Sequence, residues 1–223
     1  MKEKKQLFTI ILSVTVFCIV MAVVDGVIKA DYFVKSLIKL VLFTVFPLVY
    51  SVFYKDIRLK SLFTFDKSSL RQSLVMAIGV YVVIVGGYFL LKDLFDFSNI
   101  TVSLTQNIGV TKNNFLYVSL YISFVNSLLE EFFFRGFCFL SMQNITSKKF
   151  SYIFSAGMFA IYHIAMMTGW FSYVLYGIIL AGLFAGGLIF NYLNDRSKSI
   201  FPSYFVHMAA NFAINTVGFL LFG

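Results

Sequence analysis

The stretch Leu128-Leu129-Glu130-Glu131-Phe132-Phe133-Phe134-Arg135 sets two adjacent carboxylates and a guanidinium inside a run that otherwise reads as membrane-spanning. An ionisable group at the centre of a bilayer costs at least about 2.5–3.5 kcal/mol, so such residues face a bundle interior or a wet cavity. Arg135 follows Glu131 by four positions, which on a helix stacks the two one turn apart as a charge-assisted pair. Glu130 is turned by about 100° from Glu131. The spacing predicts Glu131 as the partner of Arg135 and Glu130 as the carboxylate left for chemistry.

Outward from that stretch, the composition is that of a membrane protein. Of 223 residues, 60% are hydrophobic and 13% charged, with 29 Phe. A soluble domain carries about a quarter charged residues, and a globule of this length could not bury so many apolar side chains. The expected fold class is all-α, a polytopic membrane bundle of about seven transmembrane helices. A net charge of +8 would suggest nucleic acid in a soluble protein. Here the basic residues flank apolar runs, so topology and anionic lipid account for them and no nucleic-acid partner is expected. Cys18 and Cys138 lie in apolar stretches and read as packing residues. Lysines outnumber arginines and Ile, Phe and Asn are plentiful. That balance hints at an AT-rich bacterial genome, and so at a bacterial plasma membrane.

Lys2, Lys4 and Lys5 precede an uncharged run from Leu7 to Val24. A signal peptide is the rival reading, but the run is long for one and no small-x-small site precedes Asp25, so a first span is expected. A second is expected over 35–54, bent at Pro47, and a third over 72–91. Residues 92–114 read as a polar loop. Four more spans are expected at 114–142, 150–167, 170–193 and 200–222. The whole chain, 1–223, is expected to be one transmembrane unit, with 1–113 as peripheral N-terminal helices and 114–223 as the catalytic core. With the N-terminus cytoplasmic, inside segments hold 12 of the 18 basic residues, Lys55, Arg58, Lys60, Lys67 and Arg71 among them. Outside segments hold Lys29, Lys35, Lys39, Lys92 and Lys112, an asymmetry that obeys the positive-inside rule. Small residues recur in Gly177-x-x-x-Ala181-x-x-x-Ala185 and Gly182-x-x-x-Gly186. They are expected to let the span 170–193 pack closely between the helices bearing His163 and His207.

The only two histidines fall in the last four spans. His163 ends Phe159-Ala160-Ile161-Tyr162-His163, and His207 shares a helix face with Asn211 four positions on. One such histidine alone is as often structural as functional. A Glu pair, two His and an Asn on three helices must find partners inside the bundle, which predicts one shared site. A carboxylate in a wet cavity is a good general base, with His sharing the proton. A second His with an Asn can stabilise an oxyanion. The combination suits water addition to an amide bond. Glu130, His163 and His207 also match a catalytic zinc with an open position, although the soluble H-E-x-x-H spacing is absent. Both alternatives, no cofactor or zinc, are open at this level.

Glu130-Glu131-x-x-x-Arg135, Phe159-x-x-x-His163 and His207-x-x-x-Asn211 resemble, in order and on successive helices, the three motifs of the CPBP family. Its members are the CAAX proteases and bacteriocin-processing (Abi) intramembrane endopeptidases. The resemblance covers about 114–222 and shows no departure at a motif position. It implies that Glu130 activates water with help from His163, that His207 and Asn211 hold the oxyanion, and that Glu131 and Arg135 support the Glu130 helix. Phe159, one turn from His163, is expected to orient that ring, while Phe132, Phe133 and Phe134 are expected to pack. The family is commonly labelled metallo, and a glutamate-dependent route without metal has also been argued for it. The latter is favoured here, since a carboxamide such as Asn211 is a natural oxyanion donor and a poor zinc ligand. The implied substrate is a membrane-associated peptide or protein: a bacteriocin or pheromone precursor, a prenylated CAAX protein, or a membrane protein. A non-proteolytic immunity or scaffold protein that binds a partner in the bilayer is the rival class, and a proton-relay transporter is a third.

Overall fold

A computed structural model describes residues 2–54 and 59–223. Among them the long helices are α1 (Lys2–Ile28), α2 (Tyr32–Phe53), α3 (Lys67–Leu91), α4 (Ser98–Ile108), α5 (115–143), α6 (Lys148–Met166), α7 (Tyr173–Ser197) and α8 (Phe201–Phe222). Side-chain caps mark several starts. Asp31 accepts from the amides of Phe33 and Val34 at 2.9 and 3.0 Å, and Ser147 accepts from Phe150 at 3.3 Å. Asp66 caps α3, and its hydrogen bonds from Ser68 and Ser69 hold the carboxyl below the usual carboxylate range.

Five described helices are long and apolar enough to cross a membrane: α1, α2, α3, α7 and α8. Seven spans were expected. The two remaining expected spans are present as helices, α5 and α6. They carry Glu130, Glu131, Arg135 and several buried serines, and α5 is wrapped by its neighbours. Every residue from Leu129 to Phe139 is buried, Glu130, Glu131 and Arg135 included. Phe132, Phe133 and Phe134 join the central apolar cluster, with Phe133 stacked on Phe43 of α2 at 4.1 Å. Leu37, Val52, Val83, Leu90 and Val174 point outward instead, as lipid-facing side chains do. Cys18 and Cys138 are free and buried in the same cluster.

Two of the helices depart from regular α-helical geometry within the site region. α5 opens into wide turns at Ile122–Asn126 and Glu131–Leu140, where hydroxyls of Ser127 and Ser141 bond the carbonyls five residues back. In α2 the wide turn Val41–Val45 lies just before Pro47, where the missing amide interrupts the ladder.

Three other expectations are corrected. Residues 92–114 are not a plain loop, because α4 lies within them and packs against α8 before Gly109 ends it at φ +71°. Lys35 and Lys39 are not outside-loop cations. Both are buried on α2, where Lys35 pairs with Asp25 at 2.5 Å. Lys55 and Arg58 lie outside the described residues. α7 does pack between α6 and α8, yet the close approach is not at the small-residue stripe. It lies at Gly187, where a Cβ would sit 3.0 Å from Cα of Ala156, while Gly177, Gly182 and Gly186 have open space.

The helices are staggered along the bundle. Ile200, just before α8, lies beside Gly136 and Leu62, so α8 starts part-way along α5. α5 continues past it to Gln143, which meets Asp195 of α7 at 3.0 Å, and Lys148 of α6 reaches the same carboxylate at 2.5 Å. This offset brings the first turns of α8 level with the middle of α5.

Candidate active site

Glu130 is the meeting point. Its Oε1 accepts from Asn126 Nδ2 at 2.9 Å and from Lys39 Nζ at 3.2 Å, while that ammonium also donates to Asn126 Oδ1 at 2.5 Å. Its Oε2 is buried with no hydrogen-bond partner. Two imidazole nitrogens face that oxygen, His207 Nε2 at 3.6 Å and His163 Nε2 at 3.9 Å. These separations exceed a hydrogen bond.

The two rings are oriented by different groups. His163 Nδ1 lies 2.7 Å from the carbonyl of Phe159, one turn earlier, so this nitrogen carries a proton and Nε2 is turned toward Glu130. His207 Nδ1 lies 2.9 Å from Glu131 Oε1, and the Ser203 hydroxyl donates to Oε2 of the same carboxylate. Phe159 meets the His163 ring edge-on at 4.8 Å and the His207 ring at 5.6 Å, and Phe190 stacks on His207 at 5.2 Å. Arg135 closes the set, 3.2 Å from Glu131 Oε1 and in the corner formed by the Phe159 and Phe190 rings, 4.1 and 4.8 Å from their centres.

The structure therefore brings together Glu130, Glu131, Arg135, Phe159, His163 and His207. Asn211 is turned elsewhere: its Nδ2 donates to Ser127 Oγ at 2.8 Å and to the Ile122 carbonyl at 3.3 Å, tying α8 to the wide turn of α5. Sequence reasoning missed three contributors. Asn126 and Ser203 each precede a site residue by four positions, the same-face spacing that links Glu131 and Arg135. Lys39 is a cation inside an apolar run, the same signal that marks Glu130.

The C-terminal helices carrying this arrangement match a family model. Residues 112–213 fit the family described as type II CAAX prenyl endopeptidase Rce1-like. They form an Rce1-like region. The match takes in Glu130, Glu131, Arg135, Phe159, His163, His207 and Asn211, and it accords with the three-motif resemblance to the CPBP family. No curated protein and no solved structure matches the chain. At the level of the family, the Rce1-like region indicates a CAAX-type endopeptidase in a multi-pass membrane protein. α1, α2 and α3 lie outside the Rce1-like match, so Lys39 enters the site from beyond it.

Zinc would need donor atoms about 2.0–2.2 Å from the ion. Among the described residues no group of three or more His, Cys, Asp or Glu side chains is arranged to hold one. The Lys39 ammonium beside Glu130 further disfavours a second cation there.

Proposed function

We propose that this protein is an intramembrane endopeptidase that hydrolyses a peptide bond of a prenylated or otherwise membrane-anchored peptide, in a bacterial plasma membrane, by glutamate-activated water. The reading rests above all on one observation: the unpartnered Oε2 of Glu130 faces the Nε2 atoms of two imidazoles that come from two other helices. Buried carboxylate oxygens are nearly always hydrogen-bonded, so this oxygen is the acceptor left for the reaction.

In the proposed route, a water donates one hydrogen to Glu130 Oε2 and the other to His163 Nε2, and its oxygen attacks the scissile carbonyl. The proton taken by Glu130 passes to the leaving amine as the C–N bond breaks. His207 donates from Nε2 to the carbonyl oxygen as charge develops there, while Glu131 holds its Nδ1–H and offsets the positive charge on the ring. Asn211 serves in this scheme as the tie that seats α8 on α5 rather than as an oxyanion donor. No step uses a metal.

The test is incubation of the purified full chain in proteoliposomes with a prenylated CAAX peptide, its unprenylated counterpart and a transmembrane peptide, with and without chelator, read by mass spectrometry. Cleavage of the prenylated peptide that persists in chelator and disappears in Glu130→Gln is expected. Biological activity retained in Glu130→Gln would instead favour a binding protein. Cleavage lost to chelator and restored by zinc would overturn the metal-free route.

A further inference from the structure

We propose that Lys39, which lies outside the Rce1-like region, is a positioning residue for Glu130: its ammonium holds Oε1 and so presents Oε2 to the two histidines. This rests on the endopeptidase reading above. The last torsion of a glutamate is broad and nearly two-fold, so nothing within Glu130 selects which oxygen faces the imidazoles. The selection comes from its neighbours. Oε1 receives donors from two helices, Asn126 Nδ2 of α5 at 2.9 Å and Lys39 Nζ of α2 at 3.2 Å, and Oε2 receives none. Asn126 in turn accepts from the same ammonium at 2.5 Å, closing a triangle that fixes the carboxylate plane.

The lysine is committed to this place. It is 8% exposed, and its Nζ also sits over the Tyr162 ring at 5.1 Å. Lys35, one turn earlier on the same face, has its own acid in Asp25 at 2.5 Å, so the two cations do not compete for Glu130. One turn later on that face, Phe43 stacks on Phe133 at 4.1 Å with planes 7° apart, which sets the register of α2 against α5. The titratable groups in contact with Glu130 are thus Lys39 from α2, His163 from α6 and His207 from α8, beside the amide of Asn126 from its own helix. The helices outside the family match therefore contribute a side chain to the site.

The test compares wild type, Lys39→Met and Lys39→Arg in the full chain reconstituted in lipid. Lys39→Met is expected to lower kcat by about 10²-fold, the scale of a misplaced general base, with KM unchanged, and Lys39→Arg to recover most of that loss. A merely structural lysine would move kcat, KM and thermal stability together without rescue by arginine. A second readout does not need cleavage. Apolar carbodiimides modify neutral buried carboxyls, and a carboxylate stripped of its cation in such an interior takes up a proton. Peptide mapping should find Glu130 unmodified in wild type and Lys39→Arg, and modified in Lys39→Met. Wild-type kcat in Lys39→Met, or equal modification of Glu130 in wild type and Lys39→Met, would overturn the proposal. Should wild type cleave nothing while the carbodiimide contrast appears, the endopeptidase reading fails and the Lys39–Glu130 pairing stands.

Discussion

His207 directs Nδ1 onto Oε1 of Glu131 at 2.9 Å, and this leaves its Nε2 3.6 Å from Oε2 of Glu130. Two carboxylates adjacent in sequence thus flank one imidazole from opposite sides, one at each ring nitrogen. Glu131 also meets Arg135 and Ser203, whereas Glu130 meets Lys39 and Asn126. The pair is divided: Glu131 holds the ring, and Glu130 turns one oxygen toward it.

Replacing Glu131 by Gln should damage both stability and turnover. The amide cannot balance Arg135, which is wholly buried, and breaking a buried ion pair costs about 3–5 kcal/mol. The ring of His207 also loses its anionic partner, so a fall in kcat of about 10²-fold or more is expected among the molecules that remain folded. Thermal unfolding in detergent and peptide-cleavage rates measured on the same preparations check the two effects.

Arg135 should not be exchangeable for lysine. Its guanidinium lies over Phe159 at 4.1 Å and over Phe190 at 4.8 Å, two rings set 66° apart, while paired with Glu131, and a guanidinium meets aromatic faces better than the more strongly hydrated ammonium of lysine does. Arg135→Lys is expected to lower stability by about 1–2 kcal/mol through the lost stacking. Arg135→Met should lower it by about 3–5 kcal/mol, because Glu131 is then left without its cation. A thermal-shift series in which Lys matched Arg would contradict a role for these ring contacts.

Asn211→Ala separates a clamp from an oxyanion donor. Both hydrogen bonds from its Nδ2 run to α5, to Ser127 Oγ and the Ile122 carbonyl, so the variant should lose about 1–3 kcal/mol of stability. Its kcat should fall by much less than the roughly 10²–10³-fold that removal of an oxyanion donor produces. A stable variant with a loss of that size would return the oxyanion role to Asn211.

Gly187→Ala should be harmful where Gly182→Ala is not. At Gly187 the new methyl would stand 3.0 Å from the backbone of Ala156 and force α6 and α7 apart, at a cost of about 1–3 kcal/mol. At Gly182 nothing lies within 4 Å, and alanine improves helix propensity by up to about 1 kcal/mol. Melting temperatures of the two variants should move in opposite directions.

Much of the site was readable one helix at a time. Glu130, Glu131, Arg135, His163 and His207 stand out because each is polar in an apolar run, where an unpartnered group is costly. The four-residue spacing of Glu131 and Arg135 foretold their pairing, and it holds at 3.2 Å. The same spacing misled at Asn211, which shares a face with His207 and yet bonds to Ser127 and Ile122. The wide turns of α5 and the approach at Gly187 left no clear mark in the residue pattern.

The amino-acid sequence by itself determined that the chain is a helical membrane protein with charged residues in its interior, because composition and periodicity act within single segments. Which oxygen of Glu130 is free, which carboxylate holds His207, and that Lys39 reaches Glu130 across 91 residues of chain were decided only by the tertiary structure. Those relationships depend on how far each helix slides and turns against its neighbours. That placement is set by contacts between helices, such as Phe43 on Phe133 and Gly187 on Ala156, and the periodicity of a single segment carries no record of it.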